Sequence, residues 1–140
     1  MMSKPKLYVG CALNNAPLAF QKKVDALKKS LVETFEILEF IGSGEMSDGE
    51  TVLHDLKQVE RCDLMLGIAD LASTGLGSEL THAGWLKRPT LIVAQAGAQV
   101  SRFVPGLPAK FESLVFQRYE TWNDIEKLIS DFAAEREIRF

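Results

Sequence analysis

The 140 residues of this chain, 46% of them hydrophobic, are enough for one domain that buries about two thirds of its unfolded surface, and we expect that domain to extend over residues 1–140. A net charge of −3 provides no basic field for a nucleic-acid backbone, so nucleic acid is not expected as a partner. The apolar stretch near the N-terminus is broken by Asn14 and Asn15, too early for a signal-peptide core or a membrane span, which predicts a cytoplasmic protein without a membrane partner.

The first part of the sequence alternates between apolar strands and amphipathic helices. A compact apolar run at Lys6–Cys11 predicts the first strand, and Asn15 with Pro17 predicts the cap and first turn of a helix. The apolar face of that helix is formed by Phe20, Val24, Leu27 and Leu31. Residues 34–40 alternate and are rich in branched and aromatic side chains, which predicts a second strand. Residues 41–49 hold three glycines and predict a mobile loop at its end.

The rest of the sequence continues this alternation. A helix predicted over residues 50–62 has an apolar stripe formed by Val52, Leu56 and Val59. Residues 95–110 contain glycine and proline and cannot form one regular element. The other predicted elements are strands at residues 64–69, 90–94 and 113–117, a helix at 79–87 and a terminal helix carrying Trp122, Ile125, Leu128, Ile129 and Phe132.

This order of elements predicts the fold class and the location of a site. Strands that are apolar throughout and alternate with helices are typical of an α/β fold, here a three-layer sandwich with a five-stranded parallel sheet. Ligands in such sheets bind at the carboxyl ends of the strands, beside the point where the strand order reverses.

A glycine-containing segment, Ser73-Thr74-Gly75-Leu76-Gly77-Ser78-Glu79-Leu80, follows the third predicted strand. Glycine at 75 and 77 lets the backbone take positive φ and approach a ligand closely. The dipole of the following helix favours a negative group at its N-terminus, so Glu79 is expected to be ionised near neutral pH and available as a nucleophile. The alternative is a tight turn with Ser78 as helix cap and a solvated glutamate.

Asp55 adds a second carboxylate near the same site. At 100° per residue it lies about 60° from Val52 and about 40° from Val59, at the edge of the buried stripe. A carboxylate there needs a partner or a function. Paired with Glu79, it would complete the two carboxylates that cleavage of a glycosidic C–N or C–O bond requires. The alternative is an aspartate satisfied by a neighbouring backbone or hydroxyl group.

Four other polar side chains could belong to the site. Two of them have either a functional or a structural role, and the two histidines are expected to be surface or packing residues. Tyr8 either directs its hydroxyl to the site or is a core aromatic residue, and Asp70 is either part of the site or a structural residue. His54 is expected on the surface, because it lies opposite Val52 and Val59 on its helix. His82 is near Glu79 in sequence, but a histidine on an amphipathic helix is more often a surface or packing residue.

Several other classes of site are excluded by the residues at particular positions of the sequence. Cys11 and Cys62 have no metal-ligand spacing, so we expect free thiols and no metal. A dinucleotide fingerprint would follow the first strand and end in glycine, whereas this turn follows the third and has Leu80 there; no GxxxxGK[ST] is present either. We therefore expect no cofactor. A phosphoacceptor receiver domain would carry acids after the first strand, where this chain has Asn14 and Asn15.

Three segments together resemble the nucleoside 2-deoxyribosyltransferase superfamily, which includes the 2'-deoxynucleoside 5'-phosphate N-hydrolases. They are KLYVG at residues 6–10, Asp55-Leu56 ahead of CDLMLG at residues 62–67, and the STGLGSEL segment at residues 73–80. The resemblance implies a flavodoxin-like (Rossmann-like) fold, a homodimer or higher homo-oligomer whose sites a neighbouring subunit completes, and cleavage of an N-glycosidic bond through a covalent glycosyl ester.

The same resemblance implies roles for individual residues. Glu79 matches the nucleophile, Asp55 the acid that assists at the base, and Tyr8 the hydroxyl that orients the nucleophile. The implied substrate-binding residues are Gly10, Cys11, Ser73, Gly75 and Gly77.

The chain departs from the resembled hydrolases at two positions and from the transferases at one. The hydrolases hold the 5'-phosphate with a serine and an arginine after the first strand, where this chain has Ala12 and Asn14, while the transferases often have an acid where it has Ser73. The leading hypothesis is hydrolysis of a (deoxy)nucleoside 5'-monophosphate or nucleoside. The alternatives are base exchange by a 2-deoxyribosyltransferase and a non-catalytic nucleotide sensor.

Overall fold

The computed structural model describes residues 3–39 and 45–138, in which strands and helices alternate. In chain order the elements are β1 (Lys6–Cys11), α1 (Leu18–Leu31), β2 (Glu36–Leu38), α2 (Asp48–Arg61), β3 (Leu64–Ile68), α3 (Thr74–Trp85), β4 (Thr90–Gln95), α4 (Phe103–Gly106), a 3₁₀ turn (Leu107–Ala109), β5 (Leu114–Tyr119) and α5 (Asp124–Glu135).

All five strands are parallel and lie in the order β2-β1-β3-β4-β5. The chain adds β2 on one side of β1 and then returns to add β3 on the other, so the strand order reverses between β1 and β3. This is the flavodoxin-like order, and a crevice is expected outside the carboxyl ends of those two strands. The predicted five-stranded parallel sheet is confirmed.

The sheet separates two hydrophobic clusters, because successive side chains of a strand point to opposite faces. On β1, Leu7 and Val9 pack with α1 and α5, whereas Tyr8 packs on the other face with α2 and α3. The result is the three-layer α/β sandwich, with Tyr8 directed toward α2 and α3.

The start of α3 differs from the prediction that the helix begins at residue 79. Ser73, not Ser78, is its N-cap, and the Ser73 side chain accepts a hydrogen bond from the backbone N–H three residues on, at 3.1 Å. Gly75 and Gly77 lie inside the helix and neither has a positive φ, so that expectation was wrong. The cap supplies a partner for a helix-terminal N–H, which offsets the weak helix propensity of glycine.

The apolar stripe predicted for α2 is also partly wrong. Val52 is 54% exposed, and the buried residues of the helix are Gln58 and Val59. The helix begins at Asp48 because Ser47 and Glu50 form a reciprocal capping box.

Three further expectations concern the segments around α1 and β2. Asn15 does not cap α1, whose N-cap is Pro17 without a side-chain hydrogen bond. The predicted strand at residues 34–40 is shorter, and its residue 40 lies outside the described residues, as do residues 41–44 of the predicted loop. Within the described ranges, no helix is both long and apolar enough to cross a bilayer.

Candidate active site

A buried hydrogen bond joins β1 to α3 beside the point where the strand order reverses. The Tyr8 hydroxyl donates to Oε2 of Glu79 at 2.6 Å, and Glu79 is only 9% exposed. Gly10 makes room for this carboxylate, because a Cβ there would lie 3.1 Å from Oε1 of Glu79 and 2.9 Å from Cε of Met65. Tyr8 and Gly10, two residues apart on β1, thus shape the surroundings of Glu79.

Burial changes the proton affinity of Glu79. Removal from water raises the pKa of Glu79 from 4.5 to about 7, the hydrogen bond from Tyr8 lowers it, and the charge of Asp55 raises it. Near neutral pH the ionised and protonated forms are both populated. The expectation that Glu79 is ionised near neutral pH therefore holds for only part of the molecules, because Glu79 lies in the second turn of α3 and packs against β1.

Asp55 brings a second carboxylate to the same place from α2. Its charge raises the pKa of both Tyr8 and Glu79, and its Oδ1 lies 3.1 Å from Nδ1 of His54. Desolvation is the largest cause of the raised Tyr8 pKa, which keeps that hydroxyl protonated as a hydrogen-bond donor. The site therefore joins a buried nucleophile candidate, a donor that orients it and a second carboxylate.

A cavity of about 470 Å³ opens over this group, within the size range of small-molecule sites. The residues predicted from the sequence that border it are Tyr8, Cys11, Asp55, Ser73, Gly75 and Glu79. Gly10 and Gly77 do not border it: Gly10 lies against Glu79, and Gly77 lines a separate groove with Trp85.

The cavity wall extends beyond the residues predicted to bind substrate. The segment after β1, residues 12–17, borders it, as does Leu71 after β3; sequence reasoning expected the ends of both strands at this edge but missed Thr51, which also borders the cavity. Thr51 lies one turn before Asp55 on α2, a spacing that could have indicated it. His54, expected on the surface, is instead partly buried beside Asp55.

Two other candidates have structural contacts. His82 pairs with Glu60 through Nε2 at 3.0 Å and does not border the cavity. Asp70 accepts hydrogen bonds from the Tyr119 hydroxyl and from the backbone N–H of Gln95, which ties β3 to β4 and β5.

One of the two cysteine thiols, that of Cys11, borders the cavity. Burial raises the pKa of Cys11 to about 11, so that its thiol stays protonated in the cavity wall. Cys11 and Cys62 are both free cysteines. In the part of the chain that the structure describes, no three or more His, Cys, Asp or Glu side chains are grouped as metal ligands.

The raised pKa of Glu79 predicts a pH-dependent stability. Because the folded protein binds this proton more tightly than the unfolded chain, the contribution of Glu79 is fully present below about pH 4.5 and is lost as the pH rises through about 7. Glu79→Gln cannot ionise, so its stability relative to wild type should increase between about pH 5 and about pH 8, by about 3 kcal/mol. Urea unfolding of both proteins at the two pH values measures this. If the unfolding free energies of the two proteins differ by the same amount at both pH values, the raised pKa of Glu79 is contradicted.

Fold and site together define a flavodoxin-like α/β protein with a carboxylate pair in a cavity at the carboxyl ends of β1 and β3.

No family model matches the sequence, and no curated protein matches it. Several solved structures, however, are similar to this chain. A CMP N-glycosidase of Clostridium botulinum, BcmB, has a TM-score of 0.70 at 15% identity, over 91% of this chain and 98% of that one.

Two further structures share the architecture. The 2-deoxyribosyltransferase of Bacillus psychrosaccharolyticus has a TM-score of 0.61 at 21% identity, over 86% of this chain and 90% of that one. A conserved protein from Enterococcus faecalis V583 has a TM-score of 0.61 at 16% identity, over 92% of this chain and 99% of that one. At these identities the likeness shows a common fold, and function must be argued from the site.

Proposed function

We propose that this chain is an enzyme of the nucleoside 2-deoxyribosyltransferase superfamily that hydrolyses the N-glycosidic bond of a (deoxy)nucleoside 5'-monophosphate or nucleoside. The observation that carries the proposal is the buried Tyr8–Glu79 hydrogen bond beside Asp55 in one cavity. The folds of a CMP N-glycosidase and a 2-deoxyribosyltransferase support it as analogy.

The proposed mechanism is a retaining one, and each of the three residues has a step in it. The Glu79 carboxylate attacks the anomeric carbon of the sugar while the C–N bond electrons leave with the base, and Asp55 donates a proton to that base. Tyr8 holds Oε2 of Glu79 and so directs the attack. Asp55 then takes a proton from water, which hydrolyses the glycosyl ester and frees Glu79. Partial burial of the site strengthens the electrostatic interactions that these steps use.

We propose that the phosphate end of a nucleotide binds at the start of α3. Ser73 and Gly75 border the cavity there, and the first backbone N–H groups of a helix favour an anion. Asn14, which also borders the cavity, is uncharged where the resembled hydrolases have arginine. Without a bidentate guanidinium grip, phosphate binding depends on Ser73 and the helix terminus.

A 5'-monophosphate should therefore be preferred over its nucleoside, by about tenfold in kcat/KM, or about 1.4 kcal/mol. Ser73→Ala should narrow that preference because it removes a hydroxyl at the phosphate position. Since Ser73 is also the N-cap of α3, Ser47→Ala is the matched control: it removes the N-cap of α2, and Ser47 does not border the cavity. The values of kcat/KM for one nucleoside and its monophosphate, measured side by side for wild type and both variants, test this preference.

The same assay separates the alternative activities. If the nucleoside is the better substrate and a free second base yields an exchanged nucleoside, the protein is a 2-deoxyribosyltransferase and not a hydrolase. If no base is released from a panel of nucleosides and monophosphates, the proposal of an enzyme is wrong and a nucleotide sensor takes its place. Chromatography that detects both free base and exchanged nucleoside distinguishes all three.

We also propose that the protein is a homodimer or a higher homo-oligomer. Leu56, Trp85 and Phe103 line one groove, and Trp85 and Phe103 are exposed apolar side chains, as are Val52 and Leu53 on α2. Such a surface is typical of an interface. Sedimentation of wild type should show an oligomer, and Trp85→Lys should shift it toward monomer. A monomeric wild type at assay concentration would contradict this proposal.

A further inference from the structure

Three polar side chains follow one another along α2 and lead to Asp55. Arg61 Nη1 donates to Gln58 Oε1 at 3.1 Å, and Gln58 Nε2 lies 3.2 Å from His54 Nε2. His54 Nδ1 then lies 3.1 Å from Asp55 Oδ1. Residues 54, 58 and 61 are spaced by four and three positions, so they share one face of the helix.

The chemistry of these groups fixes the direction of each hydrogen bond. A guanidinium can only donate, so the Gln58 oxygen faces Arg61 and the Gln58 NH₂ group faces His54. His54 Nε2 must then accept, which places the proton of a neutral imidazole on Nδ1. That N–H donates to Asp55 Oδ1. If His54 Nε2 also carried a proton, that N–H would face the N–H of the Gln58 amide, and no hydrogen bond could form between them.

The burial of Gln58 gives this arrangement an energetic basis. Gln58 is 8% exposed and is, with Val59, one of the buried residues of α2. A buried amide destabilises a fold unless its polar atoms are hydrogen-bonded, and both polar atoms of Gln58 are. An apolar side chain would fill this position at less cost, but it would leave the tautomer of His54 undetermined.

We propose that His54 is a positioning residue for Asp55 and that Gln58 holds His54 in the Nδ1–H tautomer; the inference rests on the proposed hydrolysis. Because Oδ1 of Asp55 accepts a hydrogen bond from His54, the imidazole fixes the orientation of the carboxyl group that protonates the leaving base. Titratable groups from three elements interact with Asp55: His54 on α2, Glu79 on α3 and Tyr8 on β1. His54 therefore acts on the reaction through Asp55 and not by touching the substrate.

Kinetics of three variants test this role. His54→Ala should lower kcat by about tenfold to a hundredfold with little change in KM, because Asp55 is no longer held in register with the leaving base. His54→Asn places an N–H donor near the position of Nδ1 and should restore most of kcat. Gln58→Glu replaces the donor with an acceptor, favours doubly protonated His54 and should shift the pH profile of kcat. His82→Ala is the control, since His82 pairs with Glu60 outside the cavity.

Nitrogen-15 NMR of the imidazole ring provides a readout that does not depend on turnover. In wild type the His54 ring should be neutral with its proton on Nδ1, and Gln58→Glu should protonate both nitrogens. A His54 ring that is protonated on Nε2 in wild type overturns the inference. If wild type releases base and His54→Ala has the same kcat as wild type, the inference is also overturned. A wild type that releases no base overturns the proposed reaction and the positioning role with it, so the two failures are distinguishable.

Discussion

Glu79→Gln is expected to abolish base release, with a loss on the order of 10⁴-fold or more, the scale seen when a nucleophile is removed. The amide keeps the size of the side chain and an oxygen that accepts from Tyr8, so the cavity should keep its shape. It cannot, however, form a glycosyl ester. Glu79→Ala should give the same loss of turnover with a larger disturbance of packing, because the side chain is buried.

A matched control comes from the neighbouring helix. Glu60→Gln neutralises a glutamate that is exposed, pairs with His82 and does not border the cavity. Its kcat/KM for base release should remain that of wild type. Turnover that survives in Glu79→Gln would exclude Glu79 as nucleophile, whatever the control shows.

The positions of both carboxylates could be predicted from the sequence because they depend on the order of strands. Once the apolar runs at β1 and β3 are recognised, the parallel topology brings their carboxyl ends together. Asp55 lies on the helix before β3 and Glu79 on the helix after it, so both can reach that edge. The alternation of side chains on β1 then places Tyr8 on the face with Glu79.

Other properties of the site depend on tertiary contacts that no local pattern specifies. The pKa of Glu79 is set by its burial against β1, whereas the sequence suggested only an effect of the helix dipole. The start of α3 was missed because a single N-cap hydrogen bond, which the Ser73 hydroxyl accepts from the backbone, outweighs the weak helix propensity of two glycines. On α2, exposure of Val52 and burial of Gln58 run against the hydrophobic pattern, which concealed the contact between His54 and Asp55.

Asp55→Ala is expected to slow base release by about 10²- to 10⁴-fold, the usual contribution of a general acid. A sugar donor whose leaving group departs without a proton should restore the first step, because Glu79 is still present. The second step would then lack the base that activates water. A glycosyl ester on Glu79 should accumulate, and mass spectrometry of the quenched enzyme should detect it.

Azide provides the decisive form of this experiment, because it attacks the ester without a general base. Added to Asp55→Ala with the same donor, azide should restore turnover and give a glycosyl azide with the anomeric configuration of the substrate, since two displacements at one carbon retain it. Asp48→Ala, an exposed aspartate in the first turn of the same helix, should show neither the adduct nor the azide product. An inverted product without an adduct would instead mean that water attacks the sugar directly. Glu79 would then activate that water, at the raised pKa that burial gives it.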